Sequence, residues 1–160
     1  VLDAQIMTRN DGIIFDSFFV DDPDFDGPPS TMKRQKVGRA IIDVLSGNES
    51  IKNLMKRNHR LSFERPFPVT VKPTEVQIDN ETSDKFTIID VFADDRQGLL
   101  WVIARTLFEL ELSVHAARIA TRLDQVVDVF YVTELQGGKV QDDAACRKIQ
   151  EILTNAVDGE

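Results

Sequence analysis

The stretch "FTIIDVFADDRQGLLWVIARTLFELEL", residues 86–112, changes its periodicity halfway along. Its first eight residues, Phe86–Ala93, are rich in β-branched and aromatic side chains, which predicts a mostly buried strand. After the polar turn Asp94–Gly98, apolar residues recur as Leu99, Leu100, Ile103, Leu107 and Leu110, one face of an amphipathic helix.

Working downstream, Val114–Thr121 and Val126–Thr133 read as a hairpin across "RLDQ". A Gly-containing turn follows at Gln136–Lys139. Asp142 or Asp143 then caps a final helix carrying Ala145, Ile149, Ile152 and Leu153 to about Ala156. The order is β-α-β-β-α.

Working upstream, the hairpin has a near-copy at the start of the chain. Ala4, Ile6, Thr8 and Arg9 fall on Ala117, Ile119, Thr121 and Arg122 at an offset of 113 (117 − 4). Asp16, Phe18 and Val20 fall on Asp128, Phe130 and Val132 at an offset of 112 (128 − 16). The extra residue of the first copy lies in or near its "NDG" turn, Asn10–Gly12, where an insertion leaves both strands in phase. A helix follows each hairpin. After the first, Ser30 is a plausible N-cap, Val37, Ile41, Val44 and Leu45 keep helical spacing, and Gly47 stops the run. A shorter helix with Ile51, Leu54 and Met55 ends in the basic group Lys56, Arg57, His59 and Arg60. The reading divides the chain into a partial unit over 1–60, a linker with extended pieces over 61–82, and a nearly whole β-α-β-β-α unit over 83–160.

A strand followed by D-R-x-G-L-L, here Asp95–Leu100, then a hairpin and a helix, resembles the ACT domain, a ferredoxin-like βαββαβ regulatory module. The segments "IDNETSDKFTIIDVFADDRQGLL" and "HAARIATRLDQVVDVFYVTELQGGKV" look like the C-terminal tandem ACT region of bifunctional uridylyltransferase/uridylyl-removing enzymes. The fold class expected is therefore α+β, an antiparallel sheet with helices on one face, preceded by the back half of a second ACT domain. The resemblance implies a non-catalytic, amino-acid-sensing region, with glutamine the suspected ligand and the PII signal protein a partner through the parent enzyme. It also implies a cytoplasmic setting and a homodimer or paired ACT domains. Two positions depart from the family pattern: Gln97 stands where Pro is usual, and Glu111 where Gly is usual. A non-Gly residue in a left-handed helix end costs about 1 kcal/mol.

In ACT domains the ligand lies near the first strand–helix turn. A helix start leaves backbone N–H groups unpaired and carries partial positive charge, so it can hold a carboxylate. The expected ligand groups are the amides of Gly98, Leu99 and Leu100, with Asp95 or Gln97 for an amino or amide group. The alternative is a helix start whose amides are satisfied by Asp94 or Asp95.

Other chemistry finds little footing. The formal charge of −8 opposes binding to a phosphate backbone, so no nucleic-acid partner is expected. No run approaches the ~18 apolar residues of a membrane span. The single cysteine, Cys146, excludes an intrachain disulfide. No Gly-rich nucleotide motif with paired Asp and no His-Asp metal pattern accompanies His59 or His115. Asp22, Asp24, Asp26 and Gly27 begin an EF-hand pattern, but its twelfth position is Lys33 where a bidentate Glu is needed. Neither catalysis, nor a cofactor, nor a metal is expected. A complete ACT unit ends in a fourth strand, which nothing after Ala156 can supply. Val76–Ile78 or Val69–Val71 is expected to fill that sheet edge.

Overall fold

The computed structural model describes residues 3–9, 11–20, 27–58, 73–96, 98–122 and 125–159. Asp22, Asp24, Asp26, His59, Arg60, Val69–Val71 and Gln97 lie outside the described residues. The chain divides into two compact units, Val1–Val20 with Val69–Glu160, and Asp21–Pro68. The division after residue 20 falls inside the 1–60 segment marked out by the repeat.

The larger unit is one antiparallel sheet. Its strands are β1 (Asp3–Thr8), β2 (Ile14–Phe19), β3 (Glu75–Asp79), β4 (Thr87–Asp94), β5 (Leu112–Arg122) and β6 (Gln125–Glu134). Their spatial order is β2-β1-β5-β6-β4-β3. The smaller unit holds α1 (Thr31–Leu45) and α2 (Ile51–Asn58), and the sheet carries α3 (Leu99–Glu109) and α4 (Asp143–Asp158). Sequence and structure agree on the β-α-β-β-α run, which is β4-α3-β5-β6-α4.

Strand β3 answers the missing-strand problem. Val76 pairs with Val91 and Ile78 with Ile89, so β3 runs antiparallel along β4 at the sheet edge. The order β3-β4-β6-β5 is then the four-strand order of a βαββαβ unit, with a strand from ahead of the unit in the place of its last strand. A polar network locks this substitution. Asn80 Nδ2 donates to the Val140 carbonyl (2.7 Å), and Thr87 Oγ1 donates to Asn80 Oδ1 (2.7 Å) while accepting from Val140 N–H (2.9 Å). Lys139 Nζ donates to the carbonyls of Asn80 and Ser83. With its amide so engaged, Asn80 is a structural residue. Cys146 sits beside the same network, its thiol donating to the Val140 carbonyl at 3.5 Å, and burial raises its pKa, which favours the unreactive thiol.

The two hairpins meet along β1 and β5, with Ala4 opposite Ile119, Gln5 opposite Arg118 and Ile6 opposite Ala117. The repeat equates Ala4 with Ala117 and Ile6 with Ile119. Exchanging the copies therefore maps this set of pairs onto itself, and a local two-fold axis passes between Gln5 and Arg118. One core results. Ala4 of β1 is fully buried together with Ile119, Phe130 and Val91 from the sheet, Leu99, Ile103 and Leu107 from α3, and Ile149, Leu153 and Val157 from α4. Period-two alternation puts these sheet residues on one face, and the helical stripes of α3 and α4 close over it.

Helix ends follow their capping chemistry. Asp142 caps α4 by accepting from Ala144 and Ala145 N–H. Ser30 caps α1 by accepting from Lys33 N–H, and Gly47 follows α1 at φ 74°. Past the end of α3, Glu111 takes φ 58°, the left-handed conformation for which a glycine is suited.

Candidate functional site

Strand β4 delivers the chain to Asp94, and α3 returns over the sheet from Leu99. Gly98 makes the reversal at φ 84° and ψ 2°, a left-handed conformation at the N-cap that side chains with a Cβ rarely adopt. No side chain among the described residues caps this helix. Asp94 and Asp95, both available for that role, do not take it. Of the three amides expected to meet a ligand, Leu99 N–H is bonded to the Arg96 carbonyl at 3.1 Å. The N–H groups of Gly98 and Leu100 have no acceptor among the described residues. The Leu99 side chain is buried in the core, whereas Asp95, Gly98 and Leu100 are partly exposed. The structure thus brings Asp95, Gly98 and Leu100 together at an electropositive helix start that no described side chain caps.

Arg96 reaches away from this turn. Its guanidinium donates to the Val157 carbonyl near the end of α4 at 2.8 Å. That bond places a cation at the electronegative end of α4 and pins the turn to the second helix.

Sequence reasoning assigned no role to Asp128, although it is the most unusual residue near the turn. It lies in β6 between Val126 and Phe130 on the face turned to the helices, paired with Val91 and Ile119. It is 1% exposed, and its Oδ1 has no hydrogen-bond partner among the described residues. Burial pushes its pKa up to about 7; an N–H from Ala120 opposes the rise and the Asp95 carboxylate adds to it. No cationic side chain among the described residues offsets the shift. The signal was available in sequence, because a period-two strand with Val126, Phe130 and Val132 facing inward must turn Asp128 inward too.

A second candidate lies at the other end of α3. It is a groove of about 350 Å³ lined by residues that include Leu110, Glu111, Leu135, Lys148 and Ile149. It is open, and it contains no buried, unpartnered polar atom. The turn that opens α3 has two amides without an acceptor among the described residues, and is the stronger candidate. His115 is accounted for on packing grounds: its Nε2 shares a hydrogen bond with Thr133 Oγ1 (2.9 Å) and its ring packs on Phe86. No group of three or more His, Cys, Asp or Glu among the described residues could hold a metal ion. No helix among them is long and apolar enough to cross a membrane.

Comparison with known proteins agrees with this architecture. A family model described as an ACR9-like, ACT-like domain matches residues 75–158. The bifunctional uridylyltransferase/uridylyl-removing enzyme of Novosphingobium aromaticivorans is 35% identical over 99% of the chain. That of Bradyrhizobium diazoefficiens is 33% identical over the whole of it. In both cases the chain spans 17% of the relative's length. No solved structure matches. The β4-turn-α3 unit, the β5–β6 hairpin and α4 all fall within the matched span, and the chain belongs to the ACT-like domain family.

Proposed function

We propose that this chain is an amino-acid-sensing regulatory region of a uridylyltransferase/uridylyl-removing enzyme that acts on a PII signal protein in the cytoplasm, with glutamine as the ligand. The observation that carries the reading is the start of α3, where the N–H groups of Gly98 and Leu100 have no acceptor among the described residues and neither nearby aspartate caps them. A ligand carboxylate would complete the hydrogen bonding that the helix leaves open. Asp95 stands beside those amides for a polar group of the ligand, and Gln97 belongs to the same turn in sequence. The similarity to the uridylyltransferase relatives over the full chain supports the choice of parent enzyme. Calorimetric titration of L-glutamine tests the reading: a saturating heat is expected at millimolar ligand, weakened by Gly98→Val, and the absence of any heat at that concentration would contradict it.

A second reading, an assembly module of paired ACT domains, rests on the first hairpin. Ile14, Phe18 and Val20 are 61%, 48% and 59% exposed, while their repeat equivalents Val126, Phe130 and Val132 are at most 4% exposed. Such a face favours a partner. Sedimentation at micromolar concentration is expected to show a dimer, and a monomer would contradict this second role.

A further inference from the structure

The helices α3 and α4 close over the sheet face that holds Ala4, Ile119 and Phe130. Strand alternation puts a different set of side chains on the opposite face, and the register aligns them in rows. One row crosses β5, β6 and β4 as Arg118, Val129 and Asp90. The row on one side of it is Ala120, Val127 and Phe92, and the row on the other is Ala116, Tyr131 and Ile88. Phe92, Val127, Val129 and Tyr131 are partly exposed, so the middle of this face is apolar and open.

The face is complementary to itself. Arg118 is exposed and makes no ion pair with a described residue. Asp90 stands two strands away, about 10 Å at ordinary strand spacing, too far for the two to pair within one sheet. Burial and then the Asp79 carboxylate push the Asp90 carboxyl up, and no cation among the described residues offsets the rise. Size is matched as charge is. The large Ile88 and Phe92 lie on β4, and the small Ala116 and Ala120 lie in the same two rows on β5. A second copy turned about a two-fold axis along β6 lays its β5 over the β4 of the first. Asp90 then meets Arg118, Phe92 meets Ala120 and Ile88 meets Ala116, each twice. An axis along β5 would instead set Arg118 against Arg118, and an axis along β4 would set Asp90 against Asp90.

We propose that a second copy of this chain packs on this helix-free face, sheet on sheet, with Asp90 and Arg118 paired across the two-fold axis. The proposal is independent of the amino-acid reading, and it uses the face opposite to Ile14, Phe18 and Val20 of the first hairpin. Aligned sheets pack about 10 Å apart, which both charged side chains can bridge. The overlap from β3 to β1 spans roughly 24 by 21 Å, about 500 Å² per copy, the lower end for a specific contact. At its rim Glu75 of one copy faces Asp3 of the other, where solvent screens the repulsion. The contact is therefore a reversible one that forms at micromolar concentrations and above.

Hydroxyl-radical oxidation of the full chain, read by mass spectrometry at about 5 and about 500 µM, tests this, a range that brackets a weak interface. Phe92 and Tyr131 are expected to become several-fold less reactive at the higher concentration, with buried Phe130 unreactive throughout as the control for folding. Arg118→Asp makes both positions acidic, and Asp90→Arg makes both basic. Each variant alone should lose the protection, and their equimolar mixture should regain it, because both charge pairs are then restored between unlike copies. Protection that is absent from the unsubstituted chain, or present equally at both concentrations, overturns the proposal. So does protection that either variant retains alone, or that the mixture of folded variants does not restore. Protection of Phe18 without Phe92 and Tyr131 overturns it too, and leaves the hairpin as the assembly surface. If oxidation of Phe130 shows a variant unfolded, the concentration dependence of the unsubstituted chain decides.

Discussion

Replacing Asp128 by Asn should change how stability depends on pH. The Asp128 carboxyl moves from the ordinary value of 3.8 up to about 7 on folding, chiefly because burial disfavours the charged form. The folded state therefore holds this proton more tightly than the unfolded chain does. The favourable contribution is complete below about pH 4, falls as the pH rises toward 7, and is gone above it. Each tenfold gain in proton affinity is worth about 1.4 kcal/mol, so the full change across this window approaches ~4 kcal/mol, a ceiling because the core can relax around the charge. Asn has nearly the same shape and cannot ionise, so the variant lacks this dependence. Its extra N–H donors add a pH-independent cost of about 1–2 kcal/mol, which makes the slope of the difference the quantity to measure. Urea unfolding of both proteins at pH 5, 6, 7 and 8 gives that slope. The unsubstituted chain should lose stability relative to the variant by ~1 kcal/mol for each pH step of one between pH 5 and 6.5, levelling off by pH 8. A difference that stays flat over the range would show that Asp128 is ordinarily ionised in the folded protein.

Three further substitutions test the frame around the site. Thr87→Val removes both the acceptor for Val140 N–H and the donor to Asn80 Oδ1, and should cost about 2–3 kcal/mol by chemical denaturation, with Thr87→Ser restoring most of it. Glu111→Gly relieves a left-handed non-glycine residue and should raise stability by up to ~1 kcal/mol, read as a higher melting temperature. Asp142→Ala leaves two amides of α4 uncapped and should lower stability by about 1 kcal/mol, with the exposed Asp143→Ala as a milder control.

Much of the frame was legible because it is written in short periods. The change from period two to period 3.6 around Gly98 located β4 and α3, and the same alternation located the hairpins. The need to cover an open edge pointed to Val76–Ile78 or Val69–Val71, and the first of these pairs with β4. The pairing of β1 with β5 has no local signal, since it joins residues more than a hundred positions apart. Only the repeat hints at it, through the symmetry that relates Ala4 to Ala117. At the candidate site, the left-handed Gly98 and the helix start at Leu99 followed from the turn sequence. That no described side chain would cap this helix start did not, because two aspartates stand ready beside it and their side-chain directions depend on tertiary contacts. Asp128 served only as a marker of the repeat, although its place in the alternation already turned it toward the core.

The central claim is that an amino acid binds at the start of α3. Amide chemical shifts of the isotopically labelled chain, followed by NMR during L-glutamine titration, test this most directly. Saturable shifts centred on Gly98, Leu99 and Leu100 are expected. Shifts confined to the groove around Leu110, Leu135 and Lys148, or no shifts at millimolar glutamine, would contradict it.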